Sequence, residues 1–336
     1  MPISQPAHLA TIRRGTALEG VIRGHVAVVD SAGSLLGAVG DPDALTTLRS
    51  CVKPVQALPL VRAAAEHHLD VSDAEVAIAC ASHGGEPAHV EVVLRLLGRA
   101  GLGEEALSCG PQLPMDEDSA EAILAAGGRP GRLTNNCSGK HASMLVVCAV
   151  RGLPLAGYAG FDHPLQVEIR SIMGDLAGVD LESAPVGIDG CGLPTYGLSL
   201  RALARMFAAA GRQPGFRRCQ EAMAAHPHLV AGRGRFDTAL LGVAGLRLTA
   251  KGGAAGVWVA LLRPDGPALA IKLESGDQSA ISAVALAALH RLGWLSSSEV
   301  SDPRLAEFAR PPVRNWVGAT VGEISTEPGW VADLPG

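Results

Sequence analysis

Three groups of reactive side chains stand out in the chain. The first is Ser50-Cys51-Val52-Lys53. A serine and a lysine three positions apart lie on one face of a helical turn, so the Lys53 amine can reach the Ser50 hydroxyl and, when neutral, take its proton. Pro54 lacks an N–H and is tolerated only in the first turn of a helix, which sets Ser50 at or just before a helix N-terminus. The free N–H groups and partial positive charge of such an end favour an oxyanion on a carbonyl under attack. A helix cap followed by a solvated lysine uses the same residues, so the motif alone does not establish a nucleophile.

The second group is Ala81-Ser82-His83-Gly84-Gly85, a polar, backbone-permissive turn between two expected helices, where catalytic groups and plain turn residues look alike. The third runs from Thr134 to Met144 and holds Asn136, Cys137, Ser138, Lys140 and His141 just ahead of an apolar helix, residues 144–150. A cap explains Asn136 or Ser138, but it does not explain Cys137, Lys140 and His141 together. A further glycine-rich loop, residues 186–196, carries Asp189 and Cys191 ahead of an expected helix over 195–210. Cys137 and Cys191 could share a site only through tertiary structure, since no spacing rule joins them. Arg233 and Arg235 lie in a basic glycine loop suited either to a carboxylate or to open solvent.

The elements that must position these groups follow from patterning. Residues 21–39 predict a β-hairpin turning at Asp30–Ser34. Helices are expected at 53–68, at 73–80 with Ser72 as cap, and at 87–98, 119–126, 164–176 and 221–226. Strands return at 246–253, 257–262 and 268–273, followed by a small-residue helix over 276–292 and an edge strand within 316–323. Strands at both ends with helices between predict an α+β fold, in which one antiparallel sheet built from both termini carries an inserted helical lobe. The chain is expected to be one catalytic unit, 1–336, with a sheet lobe at about 1–70 and 245–336 and a helical lobe at about 71–244.

The 336 residues are 48% hydrophobic and 18% charged, with a formal net charge of −5 and no basic block, which argues against a nucleic-acid face or a membrane-surface patch. The start of the chain has no cationic segment backed by an apolar core, and no apolar run approaches the ~18 residues of a membrane span, so a cytoplasmic protein is expected. Seven cysteines, an odd number without short paired spacing, argue against a disulfide framework and leave free thiols or metal ligands.

Ser-x-x-Lys at the head of a helix, a polar serine turn and Lys251-Gly252-Gly253 on a later strand are similar to the three motif positions of serine β-lactamases and penicillin-binding proteins. A closer resemblance spans almost the whole chain. Residues 50–60, Ala81-Ser82-His83-Gly84-Gly85, Asn135-Asn136-Cys137-Ser138-Gly139-Lys140-His141, 187–194 and His226-Pro227-His228-Leu229-Val230-Ala231-Gly232 resemble the asparaginase II family typified by the Rhizobium etli enzymes. That resemblance implies hydrolysis of L-asparagine to L-aspartate and ammonia on a β-lactamase-like fold, commonly as a homodimer. It makes Ser50 with Lys53 one dyad and Ser82 with Lys251 a second. It also makes Cys137, Lys140 and Cys191 the ligands of a zinc ion. A lysine ligand is unusual because its amine must be neutral, and His141 is the rival that general zinc chemistry would choose.

Arg49 and Asp189 are placed near the substrate and metal by adjacency to these motifs, His141 and Gly253 are counted with them as substrate-binding residues, and N–H groups around Gly253 and near Ser50 are expected to hold the oxyanion. Ser50 is the expected first nucleophile, with zinc positioning the substrate rather than generating hydroxide. A Ser-x-x-Lys peptidase or esterase of the penicillin-binding type is the enzymatic alternative, and a non-catalytic zinc-binding protein is the alternative of another class.

Overall fold

The computed structural model describes residues 5–336, which fold into two compact units. One unit comprises the chain up to Cys51 together with Gly197–Gly211 and Val243–Gly336; the other comprises Val52–Tyr196 and Arg212–Gly242. Residues 52–70 therefore belong with the helices, and 197–211 with the sheet.

The sheet unit is built on antiparallel strands. From one edge their order is Pro312–Arg314, Thr320–Thr326, Ala7–Arg14, Ala17–Val29, Ala268–Leu273, Val257–Leu262 and Leu248–Gly253, with Leu35–Val39 also pairing with Ala17–Val29. The expected hairpin is present: Val26 pairs with Val39, and Asp30 N donates to Ser34 O across the turn. Val26–Val29, Val257–Leu261 and Ala268–Ile271 are buried as unbroken runs rather than in alternation, the mark of strands covered on both faces. The helices Leu200–Gly211 and Ile281–Arg291 pack on these strands. A small-residue composition such as Ile281-Ser282-Ala283-Val284-Ala285-Leu286-Ala287-Ala288 suits close approach to a sheet.

Two expectations change here. The helix expected from Thr195 starts only at Leu200, because Pro194–Ser199 is a strand in which Thr195 and Tyr196, β-branched and aromatic, fit a pleated surface better than a helix. The strand expected from Trp316 starts at Thr320, since Asn315 accepts the Val317 and Ala319 N–H groups on its Oδ1 and closes a turn that leaves Trp316 fully exposed. Ala7–Arg14 is a strand that the patterning did not reveal.

The helical unit is centred on Ser138–Arg151, buried from Ser138 through Cys148. It packs against Leu58–Glu66, Asp73–Ala79 and Pro87–Arg99. Gly139 permits the tightest of these approaches: a Cβ there would fall 2.3 Å from the Ile78 carbonyl oxygen. The expected helix over 53–68 is broken at Ala57 into Lys53–Gln56 and Leu58–Glu66, because Pro59 cannot continue the first segment and is tolerated in the first turn of a new one. Asp73–Ala79 is entered through the predicted cap. Ser72 accepts from Glu75 N, while the Glu75 carboxylate returns to Ser72 N at 2.8 Å.

Candidate active site

In the sheet unit, Ser50 lies half-buried in a short 3-10 turn, Arg49–Val52, and the residue before it, Arg49, has φ +47°. A left-handed backbone at a non-glycine residue costs free energy and marks a conformation imposed by its surroundings. The strand carrying Lys251 ends against this turn. A Cβ on Gly253 would lie 2.9 Å from Cys51 Sγ and 3.3 Å from Arg49 Cβ, so only glycine allows the approach. Lys251 is buried, and its Nζ donates to Gly252 O at 2.7 Å.

In the helical unit, Lys53 is fully buried. Its Nζ lies 2.6 Å from Ala81 O, 3.2 Å from Asn136 O and 3.0 Å from Ser82 Oγ. Ser82 is half-buried, whereas Lys53 beside it is fully buried. The Ser82 N–H is donated to Val230 O at 2.9 Å, which removes it as an oxyanion donor. Each of the two dyads implied by resemblance takes one member from each unit; the pair seen inside one unit is Lys53 with Ser82.

Cys137, Lys140 and Cys191 are all buried and meet, with Lys140 Nζ 3.2 Å from Cys191 Sγ. Helix geometry supplies the first two, one turn apart at the head of Ser138–Arg151. The turn between Val186–Ile188 and Pro194–Ser199 brings in Cys191, with Gly192 N donating to Asp189 O and Asp189 N to Leu193 O. A hydrogen bond from Cys191 holds the Cys137 thiol well below its ordinary range despite burial, helped by the charges of Lys53 and Lys140. The same hydrogen bond, with burial, pushes Cys191 up. Burial alone would depress the Lys140 ammonium, but the charges of Cys191, Cys137 and Asp189 hold it above its ordinary value. The arrangement is a hydrogen-bonded sulfur pair beside the Lys140 amine. Two sulfurs and one amine converging in a dry pocket fit a thiophilic divalent ion, provided the amine gives up its proton on binding.

His141 is fully buried, with its Nδ1 2.7 Å from Tyr158 Oη and its Nε2 unpartnered. Burial, with Lys140 and Lys53 nearby, keeps it neutral. Among the described residues, the His, Cys, Asp and Glu groups with three ligand atoms within 4.8 Å of one another reduce to Glu86, His89 and His228; His141 does not form such a group with the two cysteines.

The Glu86, His89 and His228 cluster was not anticipated. Both His89 nitrogens are engaged with the backbone: Nε2 with His228 O at 3.0 Å, and Nδ1 accepting from Glu86 N at 3.2 Å. The His89 and His228 rings stack nearly parallel, 5.1 Å apart, so their in-plane lone pairs do not point at a common centre. Glu86 accepts Arg233 N at 3.0 Å and lies 3.1 Å from His228 Nε2. These groups clamp the segment 228–233 to the turn that carries Ser82. The sequence signal for the clamp is no more than an ordinary helix start, Glu86-Pro87 with a histidine three residues on.

The L-asparaginase II family profile matches residues 10–326. The chain belongs to the L-asparaginase II family. As an L-asparaginase II member it is a hydrolase of the asparaginase type that acts on a small molecule. No curated protein matches the chain. It is similar to the crystal structure of a candidate beta-lactamase from Bacteroides dorei DSM 17855, with 16% identity over 76% of this chain and 86% of that one and a TM-score of 0.40. Among the described residues of this family member, no helix is long and apolar enough to cross a membrane.

Proposed function

We propose that the chain hydrolyses the side-chain amide of L-asparagine through a serine acyl-enzyme, with Ser82 as nucleophile and Lys53 as its base. One observation carries this reading: Lys53 Nζ is held by two backbone carbonyls, Ala81 O and Asn136 O, with Ser82 Oγ 3.0 Å away. Once the ammonium beside Cys137 has given up a proton, its two remaining N–H bonds go to the carbonyls and the lone pair faces the serine hydroxyl. Attack by Ser82 Oγ on the amide carbon passes the hydroxyl proton to Lys53. Return of that proton to the departing nitrogen releases ammonia and leaves an aspartyl ester. Lys53 then deprotonates water, which cleaves the ester and restores Ser82.

Cys137, Lys140 and Cys191 would hold a zinc ion beside this pair. When bound, the ion supplies fixed positive charge that helps order an anionic substrate group. Asp189, half-buried in the Cys191 loop, is suited to the substrate ammonium. The proposed assembly is a homodimer, supported by Val186 and Ile188, which lie exposed on a short edge strand. Light scattering checks it.

A second reading keeps Ser50 as nucleophile. The strained Arg49 before it and the close passage of Gly253 are features of a shaped turn rather than of a plain cap.

The test is ammonia release from L-asparagine and L-glutamine, alongside ring opening of a chromogenic β-lactam, for wild type, Ser82→Ala and Ser50→Ala. Acid-quenched reactions are examined for an aspartyl adduct by peptide mass spectrometry. An adduct on residue 82 and turnover lost in Ser82→Ala are expected. An adduct on Ser50, with Ser82→Ala still active, selects the second reading. Ring opening without ammonia moves the chain to the penicillin-binding chemistry, and no product from any substrate with zinc present leaves a non-catalytic zinc protein.

A further inference from the structure

We infer that His83 is a positioning residue that locks the turn carrying Ser82 to the turn carrying Cys137; it rests on the Ser82 reading only for its kinetic consequence. His83 follows Ser82 directly and is fully buried. Its Nε2 lies 2.9 Å from Ser138 Oγ, and Ser138 follows Cys137 directly. Ser138 Oγ has one proton and gives it to Leu133 O at 2.8 Å. Toward His83 it can therefore only accept, so His83 Nε2 carries the hydrogen. Nδ1 of the neutral ring is then a lone pair, and it accepts Gly85 N–H at 3.2 Å. Every polar atom of the ring is satisfied in this one tautomer, and protonation would set Nδ1–H against the Gly85 N–H. Burial, with His89 and Lys53 nearby, holds the ring neutral.

The strut matters because of where Lys53 gets its direction. Its two carbonyl partners sit on the same two turns: Ala81 O precedes Ser82, and Asn136 O precedes Cys137. The separation of those turns fixes where the amine sits relative to Ser82 Oγ. His83 and Ser138 bridge them directly, in a path that does not include Lys53. Without the bridge, Asn136 O shifts against Ala81 O, and the amine loses alignment with the hydroxyl while its chemistry is unaltered. His83 neither accepts nor donates a reacting proton.

Three variants separate the strut from its surroundings. His83→Asn keeps a short acceptor for Gly85 N–H but cannot reach Ser138. His83→Gln places an amide N–H where Nε2–H was, and Ser138→Ala cuts the strut from the far side. Hydrogen exchange followed by mass spectrometry is read on peptides covering 80–90 and 132–140. Faster exchange in both peptides is expected in His83→Asn and Ser138→Ala, with near wild-type exchange in His83→Gln. In ammonia release, kcat should fall about 30-fold in His83→Asn and Ser138→Ala with KM changed less than about 3-fold. The double variant should be no worse than either single one, and the apparent pKa values of the rate profile should stay in place.

Exchange that rises only in 80–90 in His83→Asn, or His83→Gln as impaired as His83→Asn, would overturn the coupling. So would a missing limb in the pH profile of His83→Gln, which would make His83 an acid or base. If the wild type releases no ammonia, the asparaginase reading fails, and the exchange data still decide the strut.

Discussion

Replacing Lys53 with methionine tests the proposed chemistry at its base, because fold and activity should respond very differently. The side chain is fully buried, so the change takes a polar head out of the interior and leaves a stem of similar shape. Two carbonyls, Ala81 O and Asn136 O, lose a donor. Each orphaned carbonyl costs about 1–3 kcal/mol, or about 2–6 kcal/mol together. Against this, an apolar thioether is easier to bury than an amine, which recovers about 1–3 kcal/mol of desolvation. The net is a loss of about 2 kcal/mol, a fall in Tm of roughly 5 °C or less for a chain this long. Removing a general base costs 10²–10⁴ in rate, so kcat should drop about 10³-fold, or about 4 kcal/mol of barrier. Differential scanning fluorimetry and a coupled ammonia assay read the two numbers. In Lys53→Ala, small primary amines added to the buffer should restore part of the rate. A Lys53→Met protein that keeps more than a tenth of wild-type kcat would refute Lys53 as the base, whatever its Tm.

Dialysis against a chelator should abolish most ammonia release and zinc should restore it, while Cys137→Ser or Cys191→Ser should lower the zinc content measured by elemental analysis. Gly139→Ala should destabilise the protein by about 1–3 kcal/mol in a denaturant melt, because its Cβ must displace the Ile78 carbonyl at 2.3 Å. Burial works to raise the Glu75 pKa, but hydrogen bonds from Arg99 and Ser72 outweigh it and hold the carboxyl below its ordinary 4.5. Its contribution is therefore complete above that value and is lost as pH falls through the lowered native one. Arg99→Ala should cost about 1–2 kcal/mol at neutral pH, reduced because Arg99 is a third exposed. The gap between its stability and that of wild type should narrow on acidification; a gap that widens would contradict the sign.

Local rules carried some parts of the molecule into the sequence and not others. The Ser72 cap with Glu75 three residues on, the turn at Asp30–Ser34 and the strands 257–262 and 268–273 depend on neighbours within a few positions, and they could be read directly. Ala7–Arg14 could not, because its Arg13-Arg14 end is exposed and it owes its pairing to Ala17–Val29 and Thr320–Thr326 rather than to its own pattern. In the site, Cys137 and Lys140 were visible as an improbable cluster, whereas their meeting with Cys191 was available only through resemblance. The reach of Lys53 to Ser82 and the roles of His83, Glu86 and His89 were invisible. Each depends on a carbonyl or hydroxyl supplied by a distant turn, and turns announce their shape in sequence but not their partners.

The pairing of Ala10 with Thr326 has a consequence for how the sheet unit is made. During synthesis the first hairpin can close early, but Ala7–Arg14 then waits with an open hydrogen-bonding edge until Thr320–Thr326 has been translated. Trp330, which donates from its indole to Leu9 O, arrives later still. Pairing across that span is slow to nucleate, since loop closure must precede any contact it permits. A ribosome stalled after residue 310 would thus hold a nascent chain with an uncovered strand, a natural client for chaperones that shield β edges.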